Sequence, residues 1–134
     1  MIHLGKNTRS NIVSKSIASL GGTSNYRGTT KITNDATNSY ATIKCDTIML
    51  DNISKSDTIP KNIVLNDSSI LEHEATVSKI SEEKLLYLKS KGLTEENAKE
   101  LLIMGFIDDF KKELPMEYAV ELNRLLSGEI SCKI

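Results

Sequence analysis

Ala41-Thr42-Ile43-Lys44-Cys45-Asp46-Thr47-Ile48-Met49-Leu50 decides how the first half of this chain is read. Ala41–Cys45 and Thr47–Leu50 are rich in β-branched residues and roughly alternate apolar with polar, as half-buried strands do. Working outward, Ile12-Val13-Ser14-Lys15-Ser16-Ile17 and Thr29-Thr30-Lys31-Ile32-Thr33 repeat the pattern. Between these runs and after them lie Gly21-Gly22, Asn34-Asp35, Asp51-Asn52 and Asn66-Asp67, residue types that favour turns. No Asn-Gly or Asp-Gly pair occurs, so tight two-residue hairpins are not expected. The segments beginning at Ile12, Thr29 and Thr47 start 17 or 18 residues apart. That loose period suits the stacked coils of a β-solenoid, and an antiparallel sandwich fits the pattern equally well.

Composition changes near residue 70. Ser, Thr and Asn number 27 in residues 1–70 and nine in residues 71–134, while the net charge passes from +3 to −4. The second part reads as helical. Ser78 to Leu88 opens with capping hydroxyls and early acids, and Ile80, Leu85 and Leu88 form one apolar stripe before Gly92. A second helix opens at Thr94-Glu95-Glu96 and is expected to bury Ala98, Leu101, Leu102 and Met104-Gly105-Phe106. A third spans Pro115 to Leu126, with Pro115 in its first turn and Gly128 ending it.

Other classes are excluded by composition. With 134 residues, 39% hydrophobic and 26% charged, the chain is neither disordered nor a membrane protein, and no apolar run approaches the roughly 20 residues of a span. The N-terminus has no charged-then-apolar signal pattern, so an intracellular protein is expected. A net charge of −1, 4% aromatics and no Trp leave nucleic acid without either a basic patch or a stacking platform. Two cysteines cannot build a disulfide framework, and no CxxC pair, phosphate-binding loop or nucleophile elbow is present.

Metal-ligand chemistry has few candidates. Cys45 ends a strand-like run, and Glu72-His73-Glu74 sets two carboxylates around an imidazole where strands give way to helices. If that segment is extended, Glu72 and Glu74 face one side and His73 the other; only a bend would let all three reach one ion. A lone cysteine among β-branched residues also reads as a small core residue, and Glu-His-Glu as a solvated acidic patch. His3 reads as a strand residue, Cys132 as part of a polar tail, and Gly5-Lys6-Asn7-Thr8-Arg9-Ser10 as a solvated turn rather than an anion site.

Several ordered motifs nevertheless resemble a known family. Ile2-His3-Leu4-Gly5-Lys6-Asn7-Thr8-Arg9-Ser10 with Ser14-Lys15, then Asn25-Tyr26-Arg27-Gly28, Cys45-Asp46, Ser56-Asp57-Thr58-Ile59-Pro60, Leu71 to Ile80 and Glu113 to Leu122, are similar to the SufB/SufD family of the SUF iron–sulfur cluster assembly system. The resemblance covers only the C-terminal third or so of a typical member. It implies the last coils of a right-handed parallel β-helix over residues 1–76 and a helical domain over 77–134. It also implies a non-enzymatic scaffold. The partners would be the SufC ATPase, bound through the C-terminal helices, and SufD or a second SufB, bound through the β-helix. Cys45 would correspond to the interface cysteine where a nascent, transient cluster forms, joined by Glu74, His73 and Glu72, with a partly exposed thiolate and hard ligands making a labile shell.

The family's sulfur-accepting cysteine lies in β-helix coils upstream of these, so the resemblance assigns no residue here to delivery from a SufE- or SufU-type donor, whose site is expected upstream. Asp57 stands where some members have His, and the tail from Ser127 to Ile134 departs from a glycine-ending one. Flavin, implied for the full complex, has no assignable motif here. A fragment of a longer protein or a short divergent gene is expected, in a bacterial cytoplasm or a plastid or apicoplast stroma. The alternative function is an interaction module that binds SufC or dimerises and holds no cluster. Leu101, Phe106, Phe110, Met116 and Tyr118 are candidates for a SufC surface, although apolar residues of this kind usually form core.

Overall fold

The structure, a computed structural model, describes residues 1–131. The chain separates into two compact units, Met1–Lys79 and one that begins at Ile80. The first unit holds strands β1 (Ile2–His3), β2 (Arg9–Ala18), β3 (Thr23–Ile32), β4 (Tyr40–Met49), β5 (Lys55–Val64) and β6 (Ile70–Lys79). Odd strands form one sheet in the order β1-β3-β5 and even strands a second in the order β2-β4-β6. Every pairing is parallel and in register, so the chain crosses to the other sheet before it returns beside itself.

The antiparallel sandwich is thereby overturned. The return distance also corrects the 17- or 18-residue period: Ile2 pairs with Lys31, Arg9 with Tyr40, Thr23 with Lys55 and Tyr40 with Ile70, a circuit of about 30 residues. Ile12, Thr29 and Thr47 lie in β2, β3 and β4, so their spacing is half a circuit. The two runs Ala41–Cys45 and Thr47–Leu50 merge into one strand that ends at Met49. All four expected turn pairs fall in connections between strands.

Parallel registration stacks side chains in columns, and alternation sends every second residue inward. On β4 the inward residues Ala41, Ile43, Cys45 and Thr47 are buried, because this strand has a neighbour on both sides. Ile32, Ala36 and Ala41 form the tightest core cluster, with Leu71 packed against it. The edge strands β5 and β6 remain largely exposed. Pro60 is tolerated within β5 because an edge strand can lack one ladder donor.

Of the expected turn Gly5 to Ser10, residues Gly5 to Thr8 connect β1 to β2 with polar groups that serve the fold, while Arg9 and Ser10 already belong to β2. Asn7 and Asn38 both take left-handed backbone, φ 57° and 54°, at equivalent turns of successive circuits. The Thr8 and Ser39 hydroxyls lie 2.8 Å apart, and Ser39 N–H donates to Ser69 Oγ at 3.0 Å. His3 is buried in the same network, with Nδ1 2.6 Å from Thr8 Oγ1 and Nε2 2.8 Å from Ser10 Oγ. Both ring nitrogens are occupied, which accounts for His3 as a structural residue.

The second unit contains α1 (Glu82–Ser90), α2 (Glu95–Lys112) and α3 (Met116–Ser131). Ser81 caps α1 by accepting from Lys84 N–H at 3.3 Å, and Thr94 caps α2 by accepting from Asn97 N–H at 3.2 Å. Ser78 and Lys79, read from sequence as the start of the first helix, are instead the last residues of β6. Gly92, φ 95°, follows α1 as expected, and Pro115 O accepts from Ala119 N–H at the start of α3. Gly128 does not end α3, which continues to Ser131; Cys132 lies outside the described residues.

The buried face of α2 is Ala98, Ile103 and Ile107, whereas Leu101 is 52% exposed. Phe110, Met116 and Tyr118 are exposed as well, and Phe106 is half-buried. The expectation that most of these residues form core is therefore corrected: the inward stripe runs through Ile103 and Ile107. None of the helices among the described residues is long and apolar enough to cross a membrane.

Candidate functional site

Cys45 points inward on β4 between Ile43 and Thr47 and is 4% exposed. Burial pushes its thiol up, and the neighbouring Asp46 carboxylate adds to the effect. The expected partly exposed side chain is thus corrected to a buried one. The cause is the strand's central place in its sheet, which closes both flanks.

Glu72, His73 and Glu74 lie in the extended strand β6, in register with Thr42, Ile43 and Lys44. No bend brings them together. Alternation turns Glu72 and Glu74 outward, where Tyr40 O–H donates to Glu72 Oε2 at 2.6 Å and Lys44 Nζ lies 3.9 Å from Glu74 Oε2. The hydrogen bond to Glu72, then desolvation, pushes the Tyr40 phenol up. His73 faces the other way, on the same side of its sheet as Ile43 and Cys45, and its Nε2 is buried without a hydrogen-bond partner. The structure therefore puts Cys45 and His73 on one face and Glu72 and Glu74 on the opposite one.

Sequence reasoning gave no role to Tyr26, which reaches this interior from β3 on the facing sheet. Its ring meets the His73 ring edge-on, with centroids 6.5 Å apart and planes at 69°. Burial, followed by the proximity of Cys45, pushes its phenol up. Gly28, two residues on, makes space for the ring: a Cβ there would lie 2.5 Å from the Tyr26 hydroxyl oxygen and 2.8 Å from Cζ. The signal in the sequence was Tyr-x-Gly at strand alternation, an aromatic and a vacancy on one face.

Among the described residues, no three His, Cys, Asp or Glu side chains converge as a metal site. One thiol and one imidazole make up only part of the coordination shell that iron in a cluster requires. An iron–sulfur cluster handled here would be cargo with ligands shared from elsewhere.

The family model described as SUF system FeS cluster assembly, SufBD core domain, matches residues 1–106, and this chain belongs to that family. It is 56% identical over all 134 residues to the iron–sulfur cluster assembly protein SufB of Bacillus subtilis. The same identity, over the same length, relates it to iron–sulfur cluster assembly SufBD family proteins of Staphylococcus haemolyticus and Staphylococcus aureus. The chain spans 29% of the length of each of these relatives.

Proposed function

We propose that this chain is part of a non-enzymatic scaffold on which an iron–sulfur cluster is assembled and then surrendered. The observation that carries the reading is that Cys45 and His73 face one interior from neighbouring strands, two register positions apart, with the His73 Nε2 buried and lacking a partner. Cys45 binds iron as thiolate, giving up its proton as the metal binds, and His73 supplies a weaker nitrogen ligand, a combination that releases its cargo more readily than four thiolates. Glu74 and Glu72 join only after β6, which is paired on one side alone, loosens from β4 and gives up the contacts to Lys44 and Tyr40.

The winding is that of the last coils of a right-handed parallel β-helix, which the resemblance puts at residues 1–76 and which here takes in β6 to Lys79, followed by a helical domain from Ile80. A SufD-type partner, or a second SufB, meets the β-helix and completes the ligand shell. Exposed Leu101, Phe110, Met116 and Tyr118 receive the SufC ATPase, where ATP hydrolysis resides. Sulfur comes from a SufE- or SufU-type donor through parts of the protein upstream of these coils. The bacterial relatives favour a bacterial cytoplasm over a plastid.

Anaerobic reconstitution with iron and sulfide, on the chain alone and with SufC and a SufD-type partner, tests the shared shell. Cluster absorption in the visible range is expected only with the partner present. A full cluster on the chain alone would overturn the shared site. The buried state of Cys45 favours a second reading, an interaction module that binds SufC and holds no cluster; SufC binding with no cluster under either condition would establish it.

A further inference from the structure

We infer that Tyr26 is a positioning residue for the Cys45–His73 pair: its ring, seated over Gly28, fixes the orientation of the His73 imidazole. This rests on the reading of Cys45 and His73 as the cargo site. Three strands converge to make the arrangement, β3 with Tyr26, β4 with Cys45 and β6 with His73. The edge-on contact, 6.5 Å between centroids at 69°, is the ring contact His73 makes across the two sheets. The imidazole has no hydrogen bond at Nε2 to hold it, so ring packing is what fixes its plane.

Gly28 is part of the device. Tyr26 and Gly28 share the inward face of β3, and the ring lies where a Cβ at position 28 would stand, 2.5 to 2.9 Å from the Tyr26 hydroxyl oxygen, Cζ and Cε1. Any larger residue at 28 displaces the ring, and with it the edge presented to His73. Asn25-Tyr26-Arg27-Gly28 thus acts as a unit, with the aromatic held in place by the vacancy beside it. The phenol oxygen is not needed for this contact, whereas the ring is.

The test uses the full chain with its SufC and SufD-type partners and the variants Tyr26→Phe, Tyr26→Leu, Gly28→Ala and Cys45→Ser. Two readouts are taken: the imidazole nitrogen resonances, and iron bound after anaerobic incubation with iron and sulfide. The chain has two histidines, so His3 in its hydroxyl cage reports whether the fold is intact. In Tyr26→Leu the His73 resonances are expected to shift while those of His3 hold, and bound iron to fall about three- to tenfold, the range of an aromatic pair contact. Tyr26→Phe is expected to stay within about twofold of wild type, because the ring edge is retained. Gly28→Ala, which keeps the tyrosine, is expected to move the His73 resonances as Tyr26→Leu does. Unchanged His73 resonances and iron in Tyr26→Leu and Gly28→Ala, with iron lost in Cys45→Ser, would overturn the role of Tyr26 and leave the site standing. Undiminished iron in Cys45→Ser would overturn both.

Discussion

At the scale of single residues, hydrogen bonding decides what a charge does. Burial alone would raise the Asp51 carboxyl, but bonds from Ser54, from Ile53 N–H at 2.9 Å and from Gly21 N–H hold it down at about 2. A depressed folded-state value means the stabilisation is present above the unfolded value of about 3.9 and is lost as pH falls toward 2. Asp51→Asn is expected to flatten the fall in thermal stability between these two values, read from melting curves across that range. An unchanged acid limb would assign the loss to other groups. Cys45 shows the opposite balance, with burial and Asp46 both disfavouring the thiolate. Alkylation of Cys45 at neutral pH is accordingly expected to be slower than that of an unburied thiol, measured by mass spectrometry of the peptide that contains it.

At the scale of elements, burial separates core from surface on one helix. Ile103 is fully buried on α2 and Leu101 is 52% exposed. Ile103→Ala is expected to cost about 2–4 kcal/mol of stability, and Leu101→Ala less than about 0.5 kcal/mol, by denaturant unfolding. Leu101→Ala is expected instead to weaken the proposed SufC contact, measured by titration calorimetry. Equal stability losses in the two variants would contradict this assignment of faces.

The helices were legible because capping residues announce themselves: Thr94 and the acids after it lie where the sequence put them. Their inward faces were less so, since Leu101, Leu102 and Ile103 are all apolar and only packing chooses among them. β5 went unread because Pro60, Lys61 and Asn62 are poor strand formers, held there by pairing with β3 rather than by local preference. At the site, the face of His73 relative to Glu72 and Glu74 followed from alternation once the segment was taken as extended. The partnership with Tyr26 was not legible, because it joins residues 47 apart in sequence across two sheets.

At the scale of the whole molecule, the exposed end strands dominate. Val64 and Val77 occupy inward positions on β5 and β6 yet are 40% and 48% exposed, since no further strand covers them. Apolar, unpaired edges of this kind template association. The chain by itself is expected to self-associate with rising concentration, by sedimentation velocity, and Val64→Lys with Val77→Lys to reduce it. A chain that stays monomeric throughout would show that these edges are not association surfaces.

The central claim is that Cys45 supplies the thiolate for the cargo cluster. Its most direct test is bound iron and acid-labile sulfide per complex, for wild type and Cys45→Ser, after anaerobic reconstitution with SufC and a SufD-type partner. The account predicts that Cys45→Ser keeps SufC binding and loses the cluster; the same cluster at the same loading in Cys45→Ser would contradict it.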